Sequence, residues 1–265
     1  MCIMASPVRS VSDTRIFVGT NGALTQQLTV YQMAVQLSIF TGKGNAMILP
    51  VPVGTAGAKS IKLVDLSAVP TFFEPFVAAF KEQSRGFGMS KGISRSLEVQ
   101  RVGNYDVSVV PTVDDVKRLN RNVFEVSPDT EAVLRTEYPV GFAFLVAQLR
   151  ESGNFHPLAY LSPVVGGKMF VPTRHAHGPE KGLPKWDHLI FYRGKSAPDY
   201  MPQDQRNFAF HKSLPADTTE RSLAPVVVNL ATHLPALVPF LGAGLGLNQV
   251  RAQGPLPNVD LTVPV

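Results

Sequence analysis

The chain has 265 residues, 45% of them hydrophobic and 17% charged, with a formal net charge of +5. Those proportions exclude a disordered chain and leave ample length for a buried core. A single cysteine, Cys2, excludes an internal disulfide framework and any multi-cysteine zinc site, while 22 prolines and 21 glycines favour a turn-rich, strand-heavy architecture over a helical bundle.

Read in chain order, residues 15–18 (RIFV) and 28–37 (LTVYQMAVQL) predict two strands around Gly19-Thr20-Asn21-Gly22, whose Asn-Gly pair signals a hairpin turn. In the second run Tyr31, Met33, Val35 and Leu37 share one face and Gln32 and Gln36 the other, the pattern of a half-buried strand. Residues 46–53 (AMILPVPV) predict a further strand, with Pro50 and Pro52 placing it at an edge or strand end. A short strand is expected at 61–66, then a helix from Pro70 to about Gln83 with an apolar stripe of Phe72, Phe73, Phe76, Val77 and Phe80.

The stretch 84–96 reads as a glycine- and serine-rich loop, followed by strands near 97–102 and 105–110 and a helix at about 113–121. Ser127-Pro128-Asp129 starts another helix, with Ser as N-cap, Pro at the first helical position and Glu131 in the first turn. The run 140–149 (VGFAFLVAQL) predicts a central buried strand, and more strands are expected near 157–162, 168–172 and 188–193. From Ser222 to Val250 there is no Asp, Glu, Lys or Arg, but Pro225, Pro235, Pro239, Asn229 and His233 interrupt the run, which argues against a spanning helix. The expected fold is mixed α/β (α+β), a strand-rich sheet core with a few helices, with an αββα sandwich as one form of it. Residues 1–215 form the domain, and residues 216–265 a charge-free apolar segment and extended arm packing on that domain or on a partner.

Several segments resemble an uncharacterised, mainly secreted bacterial family, a domain of unknown function whose mature chain begins with cysteine and carries a "VVPVP" strand. They are Cys2, QLTVYQMAV at 27–35, NAMILPVPV at 45–53, IKLVDLSAVPTFFEPF at 61–76, YDVSVVP at 105–111, SPDTEAVLRTEYPVGFAFLVAQL at 127–149 and HPLAYLSP at 156–163. The resemblance implies a mixed α/β fold with a strand-rich core and carries no activity with it. This chain lacks that family's secretion signal and second early cysteine.

Initiator-Met removal places Cys2 at the N-terminus, where its thiol has the α-amine, of pKa about 7.7–8.0, as a base. The Met-Cys start resembles that of the N-terminal nucleophile hydrolases, with Arg15 orienting substrate and Asn21 or Asn45 as oxyanion donors. That predicts a cysteine amidohydrolase acting on a small amide substrate. The alternative is a non-enzymatic binding or assembly protein that self-associates through residues 222–250. His175 and His177, at i and i+2, could grip one metal with His188, Asp187 or Glu180, although Gly178-Pro179 marks a loop. Arg85-Gly86-Phe87-Gly88 imitates an RNA-binding strand without its following aromatics, and Gly242-Ala243-Gly244-Leu245-Gly246 lacks dinucleotide-binding spacing. No cofactor, specific nucleic-acid binding or membrane contact is therefore expected. With no signal peptide found, the expected location is cytoplasmic.

Overall fold

The structure is a computed structural model that describes residues 3–37, 45–80, 100–102, 105–120, 123–150, 152–176, 183–194, 197–199 and 209–265. Its strands begin with β1 (Ile3–Met4), β2 (Val8–Thr20), β3 (Gln26–Leu37), β4 (Asn45–Pro52), β5 (Lys62–Val64), β6 (Gln100–Val102), β7 (Tyr105–Val110) and β8 (Phe142–Leu149). They continue with β9 (Gly153–Asn154), β10 (Leu158–Pro163), β11 (Lys168–Val171), β12 (Lys185–Arg193), β13 (Ala209–Leu214), β14 (Leu247–Pro255) and β15 (Leu261–Pro264). The helices are α1 (Glu74–Phe80), α2 (Pro128–Glu137) and α3 (Ala216–His233), with 3-10 segments that include Val113–Arg118 and Pro235–Leu241.

The fold is α+β and strand-rich. One sheet runs β1-β4-β8-β7-β6, and the larger runs β13-β14-β12-β2-β3-β10-β5 with β9 on β3. A third, two-stranded sheet joins β11 and β15. Pairing is antiparallel except between β12 and β2. Strand alternation explains the layering, because successive side chains leave a strand on opposite faces. In β8, Ala143, Leu145, Ala147 and Leu149 enter one core while Phe144 and Val146 enter another. In β3, Tyr31, Met33 and Val35 join the first of these, while Leu28 and Val30 face the other way. The two large sheets thus pack face to face over one core. α1 and α3 cover the outer face of the larger sheet, and α2 with the 3-10 segment Val113–Arg118 covers that of the smaller. The result is four layers, α/β/β/α.

Four elements differ from the sequence expectation. The expected helix at 70–83 begins at Glu74, because residues 70–73 form turns closed by Phe72 N–H to Val69 O and Glu74 N–H to Thr71 O; residues 81–83 lie outside the described set. The expected helix at 113–121 is a six-residue 3-10 segment. Residues 216–233 are helical although Pro225 removes one backbone donor, since Leu223, Val226 and Leu230 bury a continuous face against the larger sheet. β14, also unforeseen, is held between β12 and β13, so polar Asn248 and Gln249 are buried. The extended C-terminal arm packs on the domain, where β15 pairs with β11 in register from Leu261–Val171 to Pro264–Lys168.

Close approach of the helical layer depends on Gly19 at the end of β2. A Cβ there would stand 2.2 Å from the Phe240 carbonyl oxygen, so only glycine lets the 3-10 segment Pro235–Leu241 rest on the sheet.

Candidate functional site

Cys2 and His177 lie outside the described residues, as does the Arg85-Gly86-Phe87-Gly88 segment. The supporting residues proposed for Cys2 are placed as follows. Asn45 opens β4, where its Oδ1 accepts from Ser6 N–H (3.0 Å) and Ala46 N–H (2.8 Å) and its Nδ2 donates to Ser6 O (2.7 Å). Asn21 closes the β2–β3 turn, accepting from Thr25 N–H (2.9 Å) and Gln26 N–H (3.1 Å) and donating to Thr25 Oγ1 (3.1 Å). Arg15 folds back on Asp13, with Nη2 2.8 Å from Oδ2, beside a register shift in β2. Arg15 lies within β2 and Asn21 just past its end, six residues and roughly 20 Å apart along extended chain, beyond the reach of one amide group. The structure does not gather these three side chains into one site, and each serves local architecture.

The histidines are better placed. His188 on β12 lies opposite Thr14 of β2, and His175 packs against it with ring centroids 5.2 Å apart. Trp186 completes the cluster at 4.7 Å from His188 and 5.3 Å from His175. Both imidazoles are buried, at 3% and 1% exposure. His188 Nδ1 accepts from Asp187 N–H at 3.2 Å, so a neutral ring carries its proton on Nε2. Among the described residues that Nε2, Trp186 Nε1 and Thr14 Oγ1 have no hydrogen-bond partner. A protonated Nε2 is a donor, not a metal ligand. No group of three His, Cys, Asp or Glu side chains among the described residues is arranged to hold a metal ion.

The start of the described chain is bound to this cluster. Ile3 forms a parallel bridge with Ala176, and Met4 N–H donates to Ala176 O at 2.7 Å. Thr130 Oγ1 donates to Met4 O (2.9 Å), and Ile3, Met4 and Ala5 are fully buried.

Sequence reasoning passed over a second polar cluster. Asp260, its side chain 10% exposed, accepts from Thr173 N–H (2.8 Å), Arg174 N–H (2.9 Å) and the Tyr138 hydroxyl. Arg174 also pairs with Glu137 at 2.9 Å. Burial pushes the Asp260 carboxyl above its ordinary value, with the Tyr138, Arg174 and Thr173 hydrogen bonds acting in the opposite direction. Burial, and then the neighbouring Asp260 charge, push the Tyr138 hydroxyl well above its ordinary range. The available signal was Asp260 itself, the one acidic residue after Glu220.

Finally, α3 has two unlike faces. Leu223, Val226 and Leu230 are in the core, whereas Ala224, Pro225, Val228, Ala231 and Thr232 are exposed. No helix among the described residues is long and apolar enough to cross a membrane.

These features define an α/β/β/α sandwich with a buried imidazole–indole cluster and an uncharged helix face. No protein-family model and no curated protein matches the chain. Among solved structures it is similar to baculovirus P35, with TM-score 0.47 and 15% identity over 81% of this chain and 78% of that one. It is also similar to a mutated baculovirus P35 after caspase cleavage (TM-score 0.44, 14% identity, 78% and 80% covered). A third likeness is to the caspase-8/P35 complex (TM-score 0.38, 13% identity, 77% and 74% covered). All three are distant, with TM-scores below 0.5.

Proposed function

We propose that this chain is a non-catalytic binding protein that associates with a second copy of itself through the solvent face of α3. One observation carries the reading. Beyond its first turns, where Asp217, Glu220 and Arg221 are exposed, the outer face of α3 has no Asp, Glu, Lys or Arg, and Val228 is 64% exposed at its centre. The solvent face of α2, in contrast, carries Asp129, Arg135 and Glu137.

Two copies of a chain with a net charge of +5 repel one another, so contact is least costly where neither desolvates a charge. Ala224, Val228 and Ala231 follow i, i+4, i+7 spacing, a large side chain between two small ones. Across a two-fold axis each Val228 can seat beside the partner helix's alanines, the ridge-into-groove arrangement of packed helices.

Sedimentation across a concentration series tests this directly. Wild type is expected to show a monomer–dimer equilibrium, and Val228→Glu to weaken it at least about tenfold by burying a carboxylate, with thermal unfolding of the monomer unchanged. A wild-type chain that stays monomeric at every concentration, or a V228E chain that dimerises equally well, overturns the proposal.

A second reading, a cysteine amidohydrolase acting through Cys2, is supported by the bridge from Ile3 to Ala176. That residue lies next in sequence to His175 and His177. On this reading the Cys2 thiol reacts rapidly and stoichiometrically with an electrophile, and Cys2→Ala abolishes amide hydrolysis. Intact mass showing a retained Met1, or hydrolysis unchanged in C2A, removes it.

A further inference from the structure

Arg193 ends β12 on the same face as Leu189 and Phe191, beneath the helical layer, and is only 3% exposed. A guanidinium has five N–H donors. Here Nη2 donates to the Gly242 carbonyl, and Nε is buried without a partner. No carboxylate among the described residues forms an ion pair with it. Desolvation lowers its pKa to about 10, against a weaker opposing influence from the Glu220 charge. A cation held in this way is under-neutralised, and a buried charge without an anion is costly.

The segment above it is the glycine-rich run Gly242-Ala243-Gly244-Leu245-Gly246. Gly242 is left-handed at φ +62°, and a Cβ on it would lie 3.3 Å from Arg193 Nε. No larger residue adopts that backbone without strain while leaving the guanidinium uncrowded. Gly244 is also left-handed, at φ +74°, and its N–H donates to Glu220 Oε1 at 3.0 Å. The loop therefore already presents a main-chain donor to a carboxylate, close to a cation that has none of its own. Successive main-chain N–H groups in such turns are suited to anions, and guanidinium matches the planar or tetrahedral oxygens of carboxylate and phosphate.

We propose that Arg193 and the Gly242–Gly246 loop form a binding site for an oxyanion, the carboxylate or phosphate group of a small molecule, with Glu220 as the internal group that it displaces. The ligand's oxygens take the free guanidinium N–H and the Gly244 N–H, while Glu220 turns to solvent from its exposed position at the start of α3. This site stands apart from the α3 association face and does not depend on it.

Thermal unfolding and titration calorimetry test it, with inorganic phosphate, acetate and chloride compared at equal ionic strength. Phosphate or acetate should raise the wild-type midpoint saturably beyond the effect of chloride, and the stronger of the two identifies the ligand class. Arg193→Met should weaken the response at least about tenfold, the loss expected on removing a charge-assisted hydrogen bond. Glu220→Gln, on an exposed residue that leaves the core untouched, should tighten it severalfold by removing the competing charge. Oxyanion responses equal to chloride in both wild type and E220Q overturn the proposal, as does a response that R193M retains in full.

Discussion

Replacing Phe76 by alanine is expected to cost about 3–5 kcal/mol of folding stability, the range for deleting a buried aromatic ring. Phe76 is fully buried, and its ring centroid lies 5.0 Å from that of Phe17, 5.1 Å from Phe72, 5.5 Å from Phe191 and 6.2 Å from Phe73. The cluster therefore joins α1 to strands β2 and β12. α1 has only seven residues, too few to persist as a helix in water without tertiary support. Removing its central ring deletes apolar burial and leaves a cavity that Phe17 and Phe191, fixed in strands, cannot fill. Phe80 is the comparison: it is half-buried and meets Phe191 at 6.1 Å, so Phe80→Ala should cost well under half as much. Denaturant unfolding of the two variants at constant m-value measures the difference. A Phe76→Ala cost below about 1 kcal/mol, or one equal to that of Phe80→Ala, would show that the cluster does not fix α1.

What the sequence reveals and conceals follows the range of the interactions involved. Alternation is local, so the inward face of β3 through Tyr31, Met33 and Val35 could be read directly, and so could the buried strand β8. The N-cap at Ser127 is local too, and its Oγ accepts from Thr130 N–H at 3.1 Å. α3 was hidden because Pro225 and the lack of charge suggest interruption, while the force that overrides them comes from a sheet distant in sequence. β14 was hidden because Asn248 and Gln249 look solvent-facing until β12 and β13 are known to flank them.

The site residues follow the same division. Asn45 has the chemistry of an oxyanion donor, but its partner Ser6 is 39 residues away, and nothing local shows that its amide is already engaged. The histidines could be recognised as a group, whereas their packing on Trp186 and the donor role of His188 Nε2 depend on strand register. Arg193 reads as an ordinary strand-end cation, because its burial comes from Gly242 across 49 residues.

The Asp260 cluster gives the other large expected effect, and two substitutions separate its causes. Asp260→Ala leaves the Thr173 and Arg174 amides and the Tyr138 hydroxyl buried without their acceptor, and should cost about 3–5 kcal/mol. Asp260→Asn should cost much less, since its Oδ1 can still accept both amides while its Nδ2 donates to the Tyr138 oxygen. The pH dependence distinguishes charge from hydrogen bonding. Burial raises the folded Asp260 carboxyl above the ordinary 3.8, so over the interval between the two values the native chain holds a proton that the unfolded chain has lost. This residue's contribution to wild-type stability therefore falls as pH rises from 3.8 through the folded value, and is level beyond it. The asparagine variant has no such titration. Comparing the two chains cancels the carboxylates Asp115 and Asp199, whose lowered values act in the opposite sense. The difference between them should move in favour of Asp260→Asn as pH rises across that interval. Parallel profiles would mean that burial does not raise the folded Asp260 carboxyl, and an asparagine variant as unstable as the alanine one would mean that hydrogen bonding without the charge does not hold this cluster together.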